Sequence, residues 1–124
     1  MALVTLKKRA EFLRLRGGSR CPTAAFVLET KPRAAGSGPI SSARFGFTVT
    51  KAIGGAVARN RIRRRLRALV ALLAPDKAHQ DHDYVLIARP AALERPFTDL
   101  KKDLERAFQR VHHPAGPQRQ LREK

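Results

Sequence analysis

The sequence predicts an α+β fold, with helices packed on a small β-sheet. Three observations carry that prediction. Hydrophobic periodicity runs in the order helix, strand, strand, helix, strand, helix, with room for one short extra strand. A length of 124 residues with 43% hydrophobic content suits one ordinary domain with a real core. The single cysteine, Cys21, means that this core forms without an internal disulfide or a thiolate zinc site.

The first element is a helix over residues 6–16. Leu6, Ala10 and Leu13 form its apolar face, Thr5 is its N-cap and Gly17-Gly18 stops it. Residues 25–30 read as a strand with Phe26 and Leu28 on one face and Val27 and Glu29 on the other. Residues 31–43, rich in Gly, Pro, Ser and Ala, read as a flexible connection. Residues 44–50 alternate cleanly. Phe45, Phe47 and Val49 face the core, while Arg44, Gly46, Thr48 and Thr50 form a small polar face fit to be covered by a ligand.

Gly54-Gly55 opens a second helix over residues 56–73, stopped by Pro75. A polar connection, 76–82, leads to an apolar run over 84–88, as expected of a strand buried on both faces. The third helix covers 97–111, with Phe97, Leu100, Leu104, Phe108 and Val111 on its apolar stripe. The domain therefore spans 1–111, and residues 112–124 read as a disordered basic tail.

Charge says more about partners than about fold. Lys and Arg number 26 against 10 Asp and Glu, a formal net charge of +16, and a small domain this basic attracts polyanions. The longest apolar run, 68–74, is far short of the ~20 residues that span a bilayer, and no signal-peptide stretch precedes the first lysines. A reduced, soluble, cytoplasmic protein without a membrane partner is expected.

The basic residues are concentrated. No acidic residue lies between Glu29 and Asp76, and Arg59, Arg61, Arg63, Arg64, Arg65 and Arg67 crowd the second helix. At about 100° per residue, Ile62, Leu66, Leu69, Val70 and Leu73 share one stripe and the arginines take the rest of the circumference. Arg64 points most nearly away from the core, with Asn60 and Arg61 beside it, and Arg59, Arg63 and Arg67 form a row along one border. An ordinary solvated face mixes signs, because like charges at i, i+4 are destabilising. This all-basic face suits nucleic acid, and arginine adds forked contacts to phosphate and stacking on bases. Thr48, Thr50 and Lys51 lead into the Gly-Gly turn and the helix N-terminus, extending the phosphate-binding surface. The turn lacks the spacing of either nucleotide loop, GxxxxGK[ST] or GxGxxG.

The stretch RFGFTVTKAIGGAVARNRIRRRLRAL resembles the signature of the bacterial ribonuclease P protein component family. Its centre is Arg59-Asn60-Arg61 on a basic helix, preceded by Lys51 and a Gly-x-Ala-Val turn. LKKRAEFLRLRGG, AFVLET and DYVLIARP follow the family's order over most of the chain. The resemblance implies a small mixed sheet packed by helices. It also implies a ribosomal-protein-like fold with a left-handed βαβ crossover, where the usual hand is right.

The resemblance implies a function too. The protein assists a catalytic RNA subunit in endonucleolytic 5′-end maturation of tRNA, one protein per RNA. It binds the 5′ leader of precursor tRNA between the first helix and the sheet. Mg²⁺ is bound mainly by the RNA subunit and substrate. The candidate RNA-binding residues are Phe12, Arg16, Val27, Arg44, Thr48, Thr50, Lys51, Arg59, Asn60, Arg61, Arg63, Arg64 and Arg67. The chain departs from the family at Arg16 and Glu29, where aromatics are frequent, and at Gly55, where Asn is common.

Charge alone leaves a second class open, a non-catalytic ribosomal or RNA-chaperone protein of the same fold; the Arg-Asn-Arg signature favours the first. No Ser-His-Asp or paired-carboxylate set stands out, so no catalytic residue is expected in the protein. His79, His82 and His112-His113 read as loop and tail residues, not metal ligands. Asp81 and Asp83 read as capping or solvated residues at a strand start, and Cys21 as an inert small residue.

Overall fold

The apolar run that begins at Tyr84 lies at the centre of a five-stranded mixed sheet. The computed structural model describes residues 4–6, 9–32 and 43–112. Its strands are β1 (Val4–Thr5), β2 (Ser19–Pro22), β3 (Phe26–Pro32), β4 (Arg44–Thr48) and β5 (His82–Ala88), in the order β1-β4-β5-β3-β2. β4 is parallel to β1 and to β5, whereas β3 is antiparallel to β5 and to β2. The helices are α1 (Arg9–Arg14), α2 (Ala56–Lys77) and α3 (Phe97–His112). β4–α2–β5 is thus a βαβ unit between adjacent parallel strands.

One face of the sheet carries the main core. Phe45, Tyr84, Leu86, Phe26 and Leu28 meet Ile62, Leu66, Leu69, Val70 and Leu73 of α2 and Leu100, Leu104, Ala107 and Phe108 of α3. All five residues of the expected α2 stripe are buried. Phe45 and Tyr84 stack at 4.8 Å, and Phe108 meets both edge-on.

The other face is covered in part by α1 and the 3-10 turn Leu15–Gly17 that follows it. Leu6, Leu15 and Val85 form a second apolar cluster, joined by Phe12 and Ile87. A Cβ on Gly46 would sit 2.5 Å from the Phe12 ring, so only glycine lets that ring lie on β4. Gly18 lets the backbone after α1 lie close against β3, since a Cβ there would meet the Thr30 carbonyl oxygen at 2.0 Å.

The ends of several elements differ from the sequence reading. Thr5 caps no helix: it pairs with Phe45 in the sheet, and α1 begins at Arg9. Ala10 and Leu13 are exposed, while Leu15 is buried, because two turns are too few for periodicity to select a face. Pro75 does not stop α2, which continues to Lys77. Proline lacks the N–H that would reach Ala71 and its ring crowds that carbonyl, but the helix closes its last turn beyond it, where the Ala78 N–H donates to the Ala74 carbonyl at 3.0 Å. Phe97 is exposed at the start of α3. Among the described residues there are two short extra strands, β1 and β2, where the sequence left room for one. Of the expected connection, Lys31 and Pro32 belong to β3, and residues 33–42 lie outside the described residues. His112 closes α3, and the rest of the expected tail lies outside them too.

Asp83 is the largest correction. It is not solvated but completely buried. Arg44 donates to both its oxygens, Nε to Oδ1 at 2.8 Å and Nη2 to Oδ2 at 2.7 Å, and Arg14 Nη2 donates to Oδ2 at 2.7 Å. Burial pushes the Asp83 carboxyl up, but the hydrogen bonds and charges of Arg44 and Arg14 outweigh it and hold it below the ordinary value. A depressed carboxylate contributes stability above its unfolded pKa of about 3.9, which is lost as pH falls through the folded value. Asp83→Asn is expected to cost about 3 kcal/mol at pH 7, the low end for breaking a buried pair, because both guanidiniums keep some contact with water. Urea unfolding at pH 7 and pH 3 checks this: the deficit of the variant should shrink at the lower pH.

Candidate nucleic-acid interface

The α1 side of the sheet is ordered in rows by strand register. Gly46, Val85, Glu29 and Arg20 lie side by side across β4, β5, β3 and β2, and α1 covers the start of this row through Phe12 and Leu15. The next row toward the C-terminal end of β4 is Thr48, Ile87, Val27 and Pro22. Thr48 and Ile87 are half-buried, but Val27 is only 4% exposed and offers a ligand little surface. Ile87 was not singled out in the sequence; its pairing with Thr48 puts it in the candidate row. Thr50 and Lys51 are exposed just beyond β4.

β1 pairs only with Arg44 and Phe45, so among the described residues the outer edge of β4 has no strand partner from Gly46 onward. A cleft of about 170 Å³ opens there, lined by Leu6, Phe12, Phe45, Gly46, Phe47, Arg63 and Arg67. It brings an aromatic ring from α1 and two guanidiniums from α2 to the same strand edge. Arg16, in the turn after α1, is exposed.

The arginines divide into two kinds. Arg61, Arg64 and Arg67 are exposed and make no hydrogen bond to the rest of the protein among the described residues. Asn60 is exposed and accepts from Arg63 Nη1 at 3.1 Å, and Arg59 Nε donates back to the Gly54 carbonyl at 3.2 Å. Arg65 turns inward. It donates to the carbonyls of Ala92 at 2.7 Å and Leu93 at 2.8 Å, and to that of Arg95, so it ties α2 to the segment leading to α3. Arg44 is committed as well, to Asp83 and, through Nη1, to Glu11 at 3.1 Å. Alternation put Arg44 on the right face but could not show the acids waiting there. Glu29 is buried and accepts from Arg20 at 2.8 Å, so its charge is balanced inside the fold.

Residues 2–112 match the model of the family described as Ribonuclease P. The chain belongs to the ribonuclease P protein family. It is 41% identical over 117 residues to the Ribonuclease P protein component of Erythrobacter litoralis, covering 94% of this chain and 93% of that one. It is 45% identical over 107 residues to the one of Paramagnetospirillum magneticum, covering 86% and 80%. The solved RNase P protein of Staphylococcus aureus shares its fold with a TM-score of 0.70 at 27% identity, over 87% of this chain and 94% of that chain. That of Thermotoga maritima, at 20% identity, shows the same fold with a TM-score of 0.72 over 87% and 97%.

No helix among the described residues is long and apolar enough to cross a membrane. Cys21 is buried, and burial pushes its thiol pKa up despite Arg110 and Arg106 nearby, which suits an unreactive side chain. His79 lies in the connection as expected, but His82 belongs to β5 and His112 to α3, and the three come together at the far end of α2. Burial, then the charges of His79 and His82, push His112 down to about 4.

Two substitutions on α2 separate binding from folding. Arg64→Ala should lower the salt dependence of RNA affinity by about one phosphate contact, a log–log slope change of about 0.7–0.9, and leave stability unchanged. Leu66→Ala should cost about 2–5 kcal/mol of stability by opening a core cavity. Thermal unfolding together with RNA titrations at several salt concentrations checks both.

Proposed function

We propose that this chain, as the protein component of ribonuclease P, holds the 5′ leader of precursor tRNA along the edge of β4 and presents the free arginines of α2 to the catalytic RNA. Family membership makes the chain an accessory subunit of ribonuclease P, with an RNA subunit as partner, and takes the place of the ribosomal or chaperone reading. One protein per RNA, in the cytoplasm, completes this reading.

The observation that carries leader binding is the cleft joining Phe12 to Arg63 and Arg67 beside a strand edge with no partner among the described residues. Single-stranded RNA is bound by stacking its bases on aromatic or guanidinium planes while cations track its backbone. Phe12 supplies the aromatic plane. Arg16, Thr48, Thr50 and Lys51 extend the path, and Arg59, Asn60, Arg61, Arg63, Arg64 and Arg67 face phosphate. Val27 and Arg44 support this surface from below, the one buried and the other bound to acids.

Mg²⁺ needs oxygen ligands. The buried carboxylates Glu29, Asp83 and Asp103 are each held by arginine, which leaves them poorly suited to a cation. In this reading Mg²⁺ belongs to the RNA subunit and the substrate, and the protein contributes binding and orientation. The purified protein without RNA should therefore cleave no precursor tRNA at any Mg²⁺ concentration, and activity should appear on adding the RNA subunit.

Phe12→Leu keeps an apolar side chain over Gly46 and removes the ring. It should weaken holoenzyme binding of precursor tRNA by about five-fold to a hundred-fold, the worth of one aromatic–base stack, and leave mature tRNA binding unchanged. Equal losses for both tRNAs would show that Phe12 serves packing alone.

A further inference from the structure

We propose that His79, His82 and His112 form a site for one divalent transition-metal ion of the zinc class. One ring nitrogen from each lies within 4.8 Å of the other two. The three come from different segments: His79 from the α2–β5 connection, His82 from the first residue of β5, and His112 from the last residue of α3. The His79 and His112 rings are stacked with centroids 3.6 Å apart, and His82 meets them edge-on at 5.2 and 4.9 Å.

In two of the rings one nitrogen is already engaged. His82 Nδ1 lies 2.8 Å from Asp81 Oδ1, leaving Nε2 for a metal. His112 Nε2 lies 2.6 Å from the Tyr84 hydroxyl, leaving Nδ1. Histidines that bind metals are held in this way, by a carboxylate or other polar group on the nitrogen away from the ion. Tyr84 is itself fixed: its ring is buried against Phe45 and Phe108, and its hydroxyl accepts from the His79 N–H at 2.7 Å. The core thus sets the position of one orienting group, and β5 sets His82.

Ligand chemistry selects the ion. Imidazole suits zinc and its neighbours, whereas Mg²⁺ and Ca²⁺ take oxygen. Tetrahedral zinc with bonds of about 2.0–2.1 Å sets the nitrogens roughly 3.3–3.4 Å apart, so it would draw them closer by up to about 1.5 Å and turn His79 out of its stack on His112, which rotation of the exposed His79 side chain can supply. Three protein ligands leave a fourth position for water. The site lies at the opposite end of α2 from the Gly-Gly turn, a helix of 22 residues and so about 33 Å long. It is therefore separate from the RNA-facing arginines. A bound ion would tie the end of α3 to the start of β5.

The test uses the full chain, stripped with chelator and desalted, with Zn²⁺ as the calorimetric titrant and Co²⁺ as a visible-absorption probe. One Zn²⁺ per chain is expected, with no competition from a large excess of Mg²⁺. Asp81→Asn, an exposed change that leaves all three ligands in place, should weaken zinc about 10–100-fold. The exposed His79→Ala should weaken it at least as much, and His113→Ala should leave it unchanged. Zinc at a hundred times its Kd should raise the thermal midpoint by about 10 °C. Absence of stoichiometric binding to the folded chain would overturn the proposal. So would binding that survives a His79→Ala/His82→Ala double substitution, or that is lost in His113→Ala.

Discussion

A buried carboxylate holds the α1 side of this molecule together. Asp83, at the start of the central strand, receives Arg44 from the neighbouring strand and Arg14 from α1. α1 has only six residues, well short of the length at which an isolated helix persists in water. Its position is therefore a tertiary property, set by the Arg14 ion pair, by Leu15 in the second apolar cluster and by Phe12 lying on Gly46. The cleft beside β4 exists because those anchors place the Phe12 ring near Arg63 and Arg67.

The excess of positive charge is shared out by the same logic. A buried acid must be paired, because an isolated buried charge is costly. Asp83, Glu29 and Asp103 accordingly engage Arg14, Arg44, Arg20, Arg95 and Arg106 as partners. Arg65 satisfies backbone carbonyls at the end of a 3-10 turn. What remains on α2 is a like-charged surface that repels itself in the free protein. In the proposed reading, RNA phosphates relieve that repulsion and release their counterions. Arg64 and Arg65 are neighbours in sequence, one exposed and the other turned inward, divided only by the 100° between them on the helix.

Helix α2 also separates two environments. Its first half carries the exposed arginines; its end leads into the connection where three imidazoles gather beside Tyr84. The phenol that anchors this end is part of the main core, stacked on Phe45. Packing at the sheet centre and geometry at the histidine cluster therefore depend on the same side chain.

Much of this was legible in the chain itself. The period-two run from Arg44, the α2 stripe from Ile62 to Leu73 and the apolar run at Tyr84 each specify a local structure and its buried face. The charge pattern and the Arg-Asn-Arg signature specified the partner. These signals are local, because burial on one face imposes a repeat that a few consecutive residues reveal. Other features depend on residues far apart in sequence. Arg44 could be placed on a face, but its capture by Asp83 and Glu11 depends on strand register and on where α1 lies. Val27 alternates correctly, yet its burial follows from the rows beside it. His79, His82 and His112 looked like a loop and a tail until the end of α3 met the start of β5. Sequence spacing determined which residues share an element; only the tertiary structure decided which charges and imidazoles share a site, because electrostatics and coordination act through space and are indifferent to separation along the chain.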